Sequence, residues 1–539
     1  IKHSGSMYKY IYHKKEKINS MKDIKSMTLK EKVGQMIGLA FSGDKYSPEL
    51  KMQVEDIEAG LIIYFKDNCI TPKQIFELNK EINEHAKIPP FIAIDQEGGM
   101  VARVTEGIVQ SPGAMAIGAT NDKNNAYVLA KNMGIELRHL GFNFNFAPVG
   151  DVNNNAKNPV INVRSYSENP ETVAEYMVEA VRGYHEAGLM TSVKHFPGHG
   201  DTAVDSHVGL PIVDFDKERL NKVELVPFKK VVELDLPGIM ASHVMYTRYD
   251  EKYPTTLSKK IITGLLREEM GFNGLVVTDS LTMSAVFDNF SIEEIVYNGF
   301  NSGCDILLLC GARNIEMQKE FADTALKLAE EGKIPLSTID ASVERILKYK
   351  KMYHVGEMAE DFDKVKNDLE EPSRMAFAQK VAEDSLTLVK NERNLLPLNK
   401  EEKILIVFPQ IKVVTLVENE DNTLSCLADY MPFKVDKHYI SIRPTEEEQE
   451  VLLKKVTAYD KVVYCSYNAN FNESQAKLIN EIDKKKVVVV AVRTPYDITV
   501  LDVPTYVCSY EASVLSFKAL AKYLTGEIKA KGILPVSIK

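Results

Sequence analysis

Residues 194–207 read KHFPGHGDTAVDSH, and they bring three of the chain's eleven histidines together with two aspartates and a lysine. The apolar run Leu189–Val193 precedes them and reads as a buried strand. A strand that feeds a loop rich in Gly, His and Asp delivers groups that titrate near neutral pH to the strand's end. Asp205 and His207 stand two residues apart. In an extended segment that spacing puts both side chains on one face, where the carboxylate can hydrogen-bond the imidazole and select its tautomer. A solvated polar loop is the plain alternative. The density of ionisable groups directly after a buried strand argues against it.

Other residues extend the pattern. Asp279 closes the run GLVVTDS at 274–280, where a carboxylate serves as nucleophile, base, metal ligand or helix cap. Asp95 and Arg103 flank the pair Gly98-Gly99, which implies a tight turn; an Asp95–Arg103 salt bridge is the purely structural reading. Arg164 follows Asn162 and can donate several hydrogen bonds to a polyol or an anion, unless it is only a surface arginine. With Lys194 and His195, these groups suit a sugar, whose hydroxyls need paired donors and acceptors. Glycoside cleavage needs a carboxylate under the anomeric carbon and a proton donor beside the leaving group. Asp279 suits the first task. A histidine held by a carboxylate suits the second.

A metal-dependent hydrolase is the competing chemistry, because His195 and His199 have the i, i+4 spacing of a zinc pair. Pro197 and Gly198 lie between them and oppose a helix there, so the spacing does not give a shared face. Neither a metal nor a cofactor is expected. A sugar-binding protein without catalysis would leave the His/Asp-rich segment without a purpose.

These residues need a frame. Eight apolar runs alternate with helical patterns: Val33–Phe41, Leu61–Phe65, Phe91–Ile94, Phe142–Pro148, Leu189–Val193, Gly238–Val244, Gly274–Thr278 and Asp305–Leu309. Most are continuous, as strands buried on both faces should be. The fold class is therefore α/β, an N-terminal (β/α)8 TIM-like barrel with its active site at the carboxyl ends of the strands. The expected divisions are a barrel over 7–354, a charged linker or bridging helix over 355–372, and a smaller α/β layered-sheet domain over 373–539. The runs expected in that second part are Leu386–Val389, Ile404–Phe408, Val462–Tyr464, Val487–Val492 and Tyr506–Tyr510, with no phosphate loop and no dinucleotide fingerprint among them.

The formal charge of −10 argues against nucleic acid or an anionic membrane as the main partner. No apolar run reaches 18 residues, so no spanning helix is expected. None of the six cysteines forms a Cys-x-x-Cys pair, which points to buried free thiols in a reducing compartment. No signal-peptide core stands near the start. The expectation is a cytoplasmic monomer acting on a carbohydrate, with a secreted or wall-associated protein as the alternative if a leader has been removed.

The chain resembles glycoside hydrolase family 3, and within it the bacterial β-N-acetylglucosaminidases of the NagZ type. The resemblance rests on 94–99 (IDQEGG), 146–152 (FAPVGDV), 162–166 (NVRSY), 194–207, 277–283 (VTDSLTM), 388–398 (LVKNERNLLPL) and 534–538 (LPVSI). It implies a retaining exo-β-N-acetylglucosaminidase with Asp279 as nucleophile, His207 as acid/base and Asp205 orienting His207. Asp95, Arg103, Arg164, Lys194 and His195 would bind the terminal N-acetylglucosamine. The substrate implied is a peptidoglycan fragment, N-acetylglucosamine on N-acetylmuramic acid, in cell-wall turnover. Many relatives take a carboxylate acid/base from the second domain; the Asp-Ser-His segment sets this chain apart and leaves that domain a supporting part. Tyr166 and Ser167 stand where the family usually has Phe-Gly, which bears on subsite detail. Transfer to phosphate, or a broader β-glucosaminidase or β-glucosidase activity, are the alternatives within the family.

Overall fold

Short runs of β-branched and aliphatic residues build the frame. A computed structural model describes residues 22–202, 209–235, 237–311, 314–411 and 426–538. Its strands are β1 Ile37–Ala40, β2 Leu61–Tyr64, β3 Phe91–Ile94, β4 Phe144–Asn145, β5 Met190–Phe196, β6 Ile212–Val213, β7 Gly238–Ala241, β8 Met245–Tyr246, β9 Val276–Ser280 and β10 Ile306–Leu309. Eight of them close a parallel barrel in the order β1-β10-β9-β7-β5-β4-β3-β2, while β6 and β8 pair apart as a small ribbon. Barrel strands such as β1, β2, β3 and β10 are buried at every position, because side chains face either the barrel interior or the surrounding helices.

The helices follow local rules. The helix Pro170–Glu186 begins at Asn169, whose side chain accepts from the Thr172 amide, and has Pro at its first position. Val173, Met177, Ala180, Val181 and Tyr184 form its buried stripe at spacings of three and four. The turn that follows uses Gly188 at φ +74. Each valine or methionine side chain buried in this way contributes about 1.5–3 kcal/mol, and Ala180 less.

Several strand limits differ from the apolar runs. Val33 belongs to the helix Leu29–Gln35, started by a capping box between Thr28 and Glu31, so β1 begins only at Ile37. The run Phe142–Pro148 keeps two strand residues, since Pro148 has no N–H to continue a ladder. β5 and β9 run further than their apolar stretches and include Lys194, His195 and Asp279, because polar partners at the barrel mouth let the chain stay extended past its apolar part.

The second sheet contains β11 Thr387–Asn391, β12 Ile404–Gln410, β13 Asp436–Ser441, β14 Lys461–Ser466, β15 Val487–Ala491 and β16 Thr505–Cys508, in the order β11-β16-β15-β14-β12-β13. All pairs are parallel except β11 with β16. β13 escapes an apolar-run search: it is an edge strand of sequence DKHYIS with most positions partly exposed. Between barrel and sheet lie two short turns, Phe362–Lys364 and Lys366–Asp368, and then the helix Pro372–Ser385. That helix is tied to the barrel by Arg374, whose Nη1 donates to Glu136 Oε1 at 3.1 Å. All six cysteines are free thiols, five of them buried.

Lys350, from the helix Leu336–Met352, is buried beside Gln35, just before β1, and Phe91, the first residue of β3. Its amine is wholly buried, donates to Gln35 Oε1 at 2.6 Å and lies over the Phe91 ring. Burial pushes this amine down to about 7. The unfolded chain binds a proton there up to about pH 10.4. Between those values the unfolded state holds more protons than the native state, so this residue makes stability rise with pH, by at most about 1.4 kcal/mol per pH unit. Lys350→Met should remove that slope. Urea unfolding of both proteins at pH 7 and pH 9.5 should show wild type gaining on the variant at the higher pH; a constant difference would mean the amine is charged in the fold.

Candidate active site

Three strands deliver charge to one mouth of the barrel. β3 is followed directly by Asp95-Gln96-Glu97, β5 carries Lys194 and His195, and β9 carries Asp279. A helical turn, Asn162–Arg164, adds Arg164. Of these, Asp95, Arg164, Lys194, His195 and Asp279 line a cavity of about 470 Å³. Its polar wall holds Asp95, Arg103, Arg164, Lys194, His195 and Asp279; Phe65, Phe146, Met240, Leu308 and Cys310 are on its apolar wall. A sugar ring, with apolar faces and hydroxyl edges, matches such a mixed lining.

The polar wall is organised by a chain of ion pairs. Lys194 Nζ lies 2.7 Å from Asp95 Oδ1 and 2.7 Å from Glu97 Oε1. Glu97 in turn accepts from Arg164 through Nη2 at 2.8 Å and Nε at 2.9 Å. Arg103 Nη2 stands 3.6 Å from Asp95 Oδ2, so the salt bridge read from the sequence exists, and both residues still line the cavity. Burial raises the Glu97 carboxyl, but Arg164 and Lys194 outweigh it and hold the group well below the ordinary carboxylate range. Burial lowers the Lys194 amine, and Asp95 and Glu97 more than restore it. Arg164 is no surface arginine: it is 4% exposed, and its Nη1 also donates to Val160 O at 3.2 Å.

The backbone between Asp95 and Arg103 is shaped for this. Gly98 and Gly99 adopt φ +94 and +60, and a Cβ on Gly99 would stand 2.9 Å from Gly113 Cα. Gln96 points the other way and ties the turn together. It accepts from the Arg103 amide at 2.7 Å, and its side-chain amide donates to Val104 O at 2.9 Å.

Asp151 sets the next layer. It is wholly buried, with Oδ2 2.7 Å from His195 Nδ1, and it also accepts from the His195 and His199 amides. His195 therefore carries its proton on Nδ1. Burial raises the Asp151 carboxyl, and His195 reverses that and lowers it. His199 Nδ1 pairs with Thr202 Oγ1 at 2.7 Å, and burial, reinforced by His195, pushes it down to about 4. The two imidazoles of the suspected zinc pair are thus on an extended strand and the bend beyond it, each Nδ1 engaged by a different partner. Among the described residues no group of three or more His, Cys, Asp or Glu is arranged to hold a metal.

Asp279 is half-buried, and its Oδ1 accepts from the Ser280 amide at 2.7 Å. It caps no helix, since the next one starts at Ser284 after Met283. His243 steadies the chain behind it: Nε2 donates to Ser280 O at 2.7 Å and Nδ1 accepts from Thr256 Oγ1 at 2.9 Å. Asp205 and His207 lie outside the described residues. The described chain on either side of them is anchored to β8, through Tyr246 OH donating to Gly198 O and through β6 pairing with Met245 and Tyr246.

The structure thus brings Asp95, Arg103, Arg164, Lys194, His195 and Asp279 to one cavity. Sequence reasoning did not single out Glu97, Asp151 or His243 for roles. Each stands at a strand's carboxyl end, the one signal that marks them, but their partners come from other strands.

The family model described as glycosyl hydrolase family 3 N terminal domain matches residues 28–349. The chain is 32% identical to β-hexosaminidase A of Pseudoalteromonas piscicida over 547 residues, covering 91% of each. A β-hexosaminidase of Stenotrophomonas maltophilia is 34% identical over 261 residues, 47% of this chain and 77% of that protein. Among solved structures, a family 3 β-N-acetylglucosaminidase from Paenibacillus sp. FPU-7 superposes with a TM-score of 0.90 at 37% identity, over 95% of this chain and 99% of the other. Since the family model covers more than half of the chain and a relative 32% identical matches it over 91% of each sequence, the chain, with its parallel barrel and second α/β sheet, belongs to glycoside hydrolase family 3.

Proposed function

We propose that this protein is a retaining exo-β-N-acetylglucosaminidase that removes terminal β-linked N-acetylglucosamine, with peptidoglycan fragments of the GlcNAc-MurNAc kind as substrate. The observation that carries the reading is Asp279 lining the same cavity as Asp95, Lys194 and Arg164, which ion pairs to one another and to Glu97 hold in place. Asp95 is engaged by Lys194 and faces Arg103. That suits it to grip hydroxyls, and leaves attack on the anomeric carbon to Asp279. The names of the relatives that match over most of the chain support N-acetylhexosamine as the sugar.

In this mechanism the Asp279 carboxylate attacks the anomeric carbon while the glycosidic C–O bond breaks. His207, oriented by Asp205, gives its proton to the departing oxygen. Water then attacks the glycosyl ester and gives a proton to His207, and Asp279 leaves as carboxylate; two inversions retain the β configuration. Arg103, Arg164, Lys194 and His195 with Asp95 hold the terminal sugar. Hydrolysis is the favoured second step; phosphate in place of water would give a sugar phosphate, which product analysis with and without phosphate separates.

Asp279→Asn keeps the size of the side chain and removes its charge. Turnover of an aryl β-N-acetylglucosaminide should fall at least about a thousandfold while sugar binding persists. A variant that keeps a tenth of the activity would assign the attack to another residue.

His207→Ala should slow a natural disaccharide far more than a dinitrophenyl glycoside, whose leaving group needs little protonation. With the activated donor the glycosyl ester should accumulate, and added azide should capture it as a β-glycosyl azide. Equal slowing of both substrates without an azide adduct would make His207 a binding residue. Asp205→Ala should show the same defect in weaker form.

A further inference from the structure

One apolar face of the second sheet is completed by barrel residues. Met115, Ala116, Ala119 and Val163 share a core with Tyr464, Val489, Tyr496 and Tyr506. Val163 sits directly before Arg164 in the turn Asn162–Arg164, so the turn that presents Arg164 to Glu97 rests on the smaller domain. Asn162 there adopts φ +42, a conformation that needs outside support in a non-glycine residue.

Other bonds converge on the same stretch. Tyr496 OH accepts from Asn153 Nδ2 at 3.0 Å, two residues after Asp151, and the Asn153 amide donates to Ser167 O at 3.0 Å. Pro535 O accepts from Ser167 Oγ at 2.8 Å and from the Glu168 amide at 3.2 Å. The Ile533 amide donates to Ala119 O at 2.8 Å. Glu511, buried and bonded to Ser513 Oγ at 2.8 Å, backs the Gly98-Gly99 turn: a Cβ on Gly99 would lie 3.6 Å from its Oε2. Among the described residues none of the second domain lines the cavity.

We propose that Val163 and Tyr496 are positioning residues, through which the smaller domain holds Arg164 and the Asp151 loop and so sets the grip on the terminal sugar. In its kinetic part this rests on the function proposed above. Tyr496→Phe removes one acceptor from Asn153; Val163→Ala trims the side chain by which the turn carrying Arg164 packs into the core of the second sheet. The full-length variants, alone and together, are assayed on a dinitrophenyl and a methylumbelliferyl β-N-acetylglucosaminide, and amide hydrogen exchange is followed by mass spectrometry without substrate. KM should rise by about three- to tenfold in each variant with kcat within about twofold of wild type, and the rate ratio between the two leaving groups should stay put. Exchange should quicken in 150–168 and 95–104 and stay unchanged in the rest of the barrel. Wild-type KM with wild-type exchange overturns the proposal. So does exchange that quickens evenly along the chain, which is lost stability alone. If the wild-type protein cleaves no N-acetylglucosaminide, the proposed activity fails, and the exchange pattern still decides whether the smaller domain holds these loops.

Discussion

Lys194 brings an ammonium to a strand end where it is 2% exposed, and the rest of the site is arranged around that charge. Removing an ion from water costs several kcal/mol even after relaxation, so an unpartnered ammonium would not remain charged there. Asp95 and Glu97 both approach it to 2.7 Å. Their alternation in the chain, with Gln96 turned away between them, puts both on one face of the extended stretch after β3. Glu97 then needs its own partner, which the two parallel bonds from Arg164 supply. The outcome is a charged wall whose members are fixed before any ligand arrives. That suits a site that must orient a polyol without first reorganising.

The rigidity comes from division of labour. β3, β5 and β9 each contribute one or two groups, and the parallel barrel brings their carboxyl ends together although they are far apart in sequence. Behind them stand Asp151 holding His195, His243 holding the carbonyl after Asp279, and Gln96 holding the turn. None of these is exposed enough to serve on the surface; each satisfies a donor or acceptor that burial would otherwise strand. The smaller domain extends the same support outward, by packing its sheet against the turn that carries Arg164.

Much of this was legible in the chain. Continuous apolar runs with no polar face announced strands buried on both sides, and their regular alternation with helical stripes pointed to a parallel barrel and a second sheet. The candidates Asp95, Lys194, His195 and Asp279 were marked by one rule, a charged residue where a buried strand stops. Strand limits were less legible. Lys194 and Asp279 sit within strands because neighbours at the barrel mouth satisfy them, and β13 went unseen because an edge strand facing water needs no apolar run.

Composition and local pattern by themselves determined the class of fold, the kind of groups available and the place along the chain where they occur, because burial periodicity and turn chemistry act over a few residues. Which charge meets which was decided only by the tertiary structure. Glu97 reads as one more acid after Asp95 until Arg164, 67 residues on, closes on it. Asp151 reads as a loop aspartate until His195 and His199 turn their amides to it. The physical reason is that an ion pair in a low-dielectric interior depends on distances of a few ångströms between separate strands, and those distances are fixed by barrel closure rather than by any spacing along the chain.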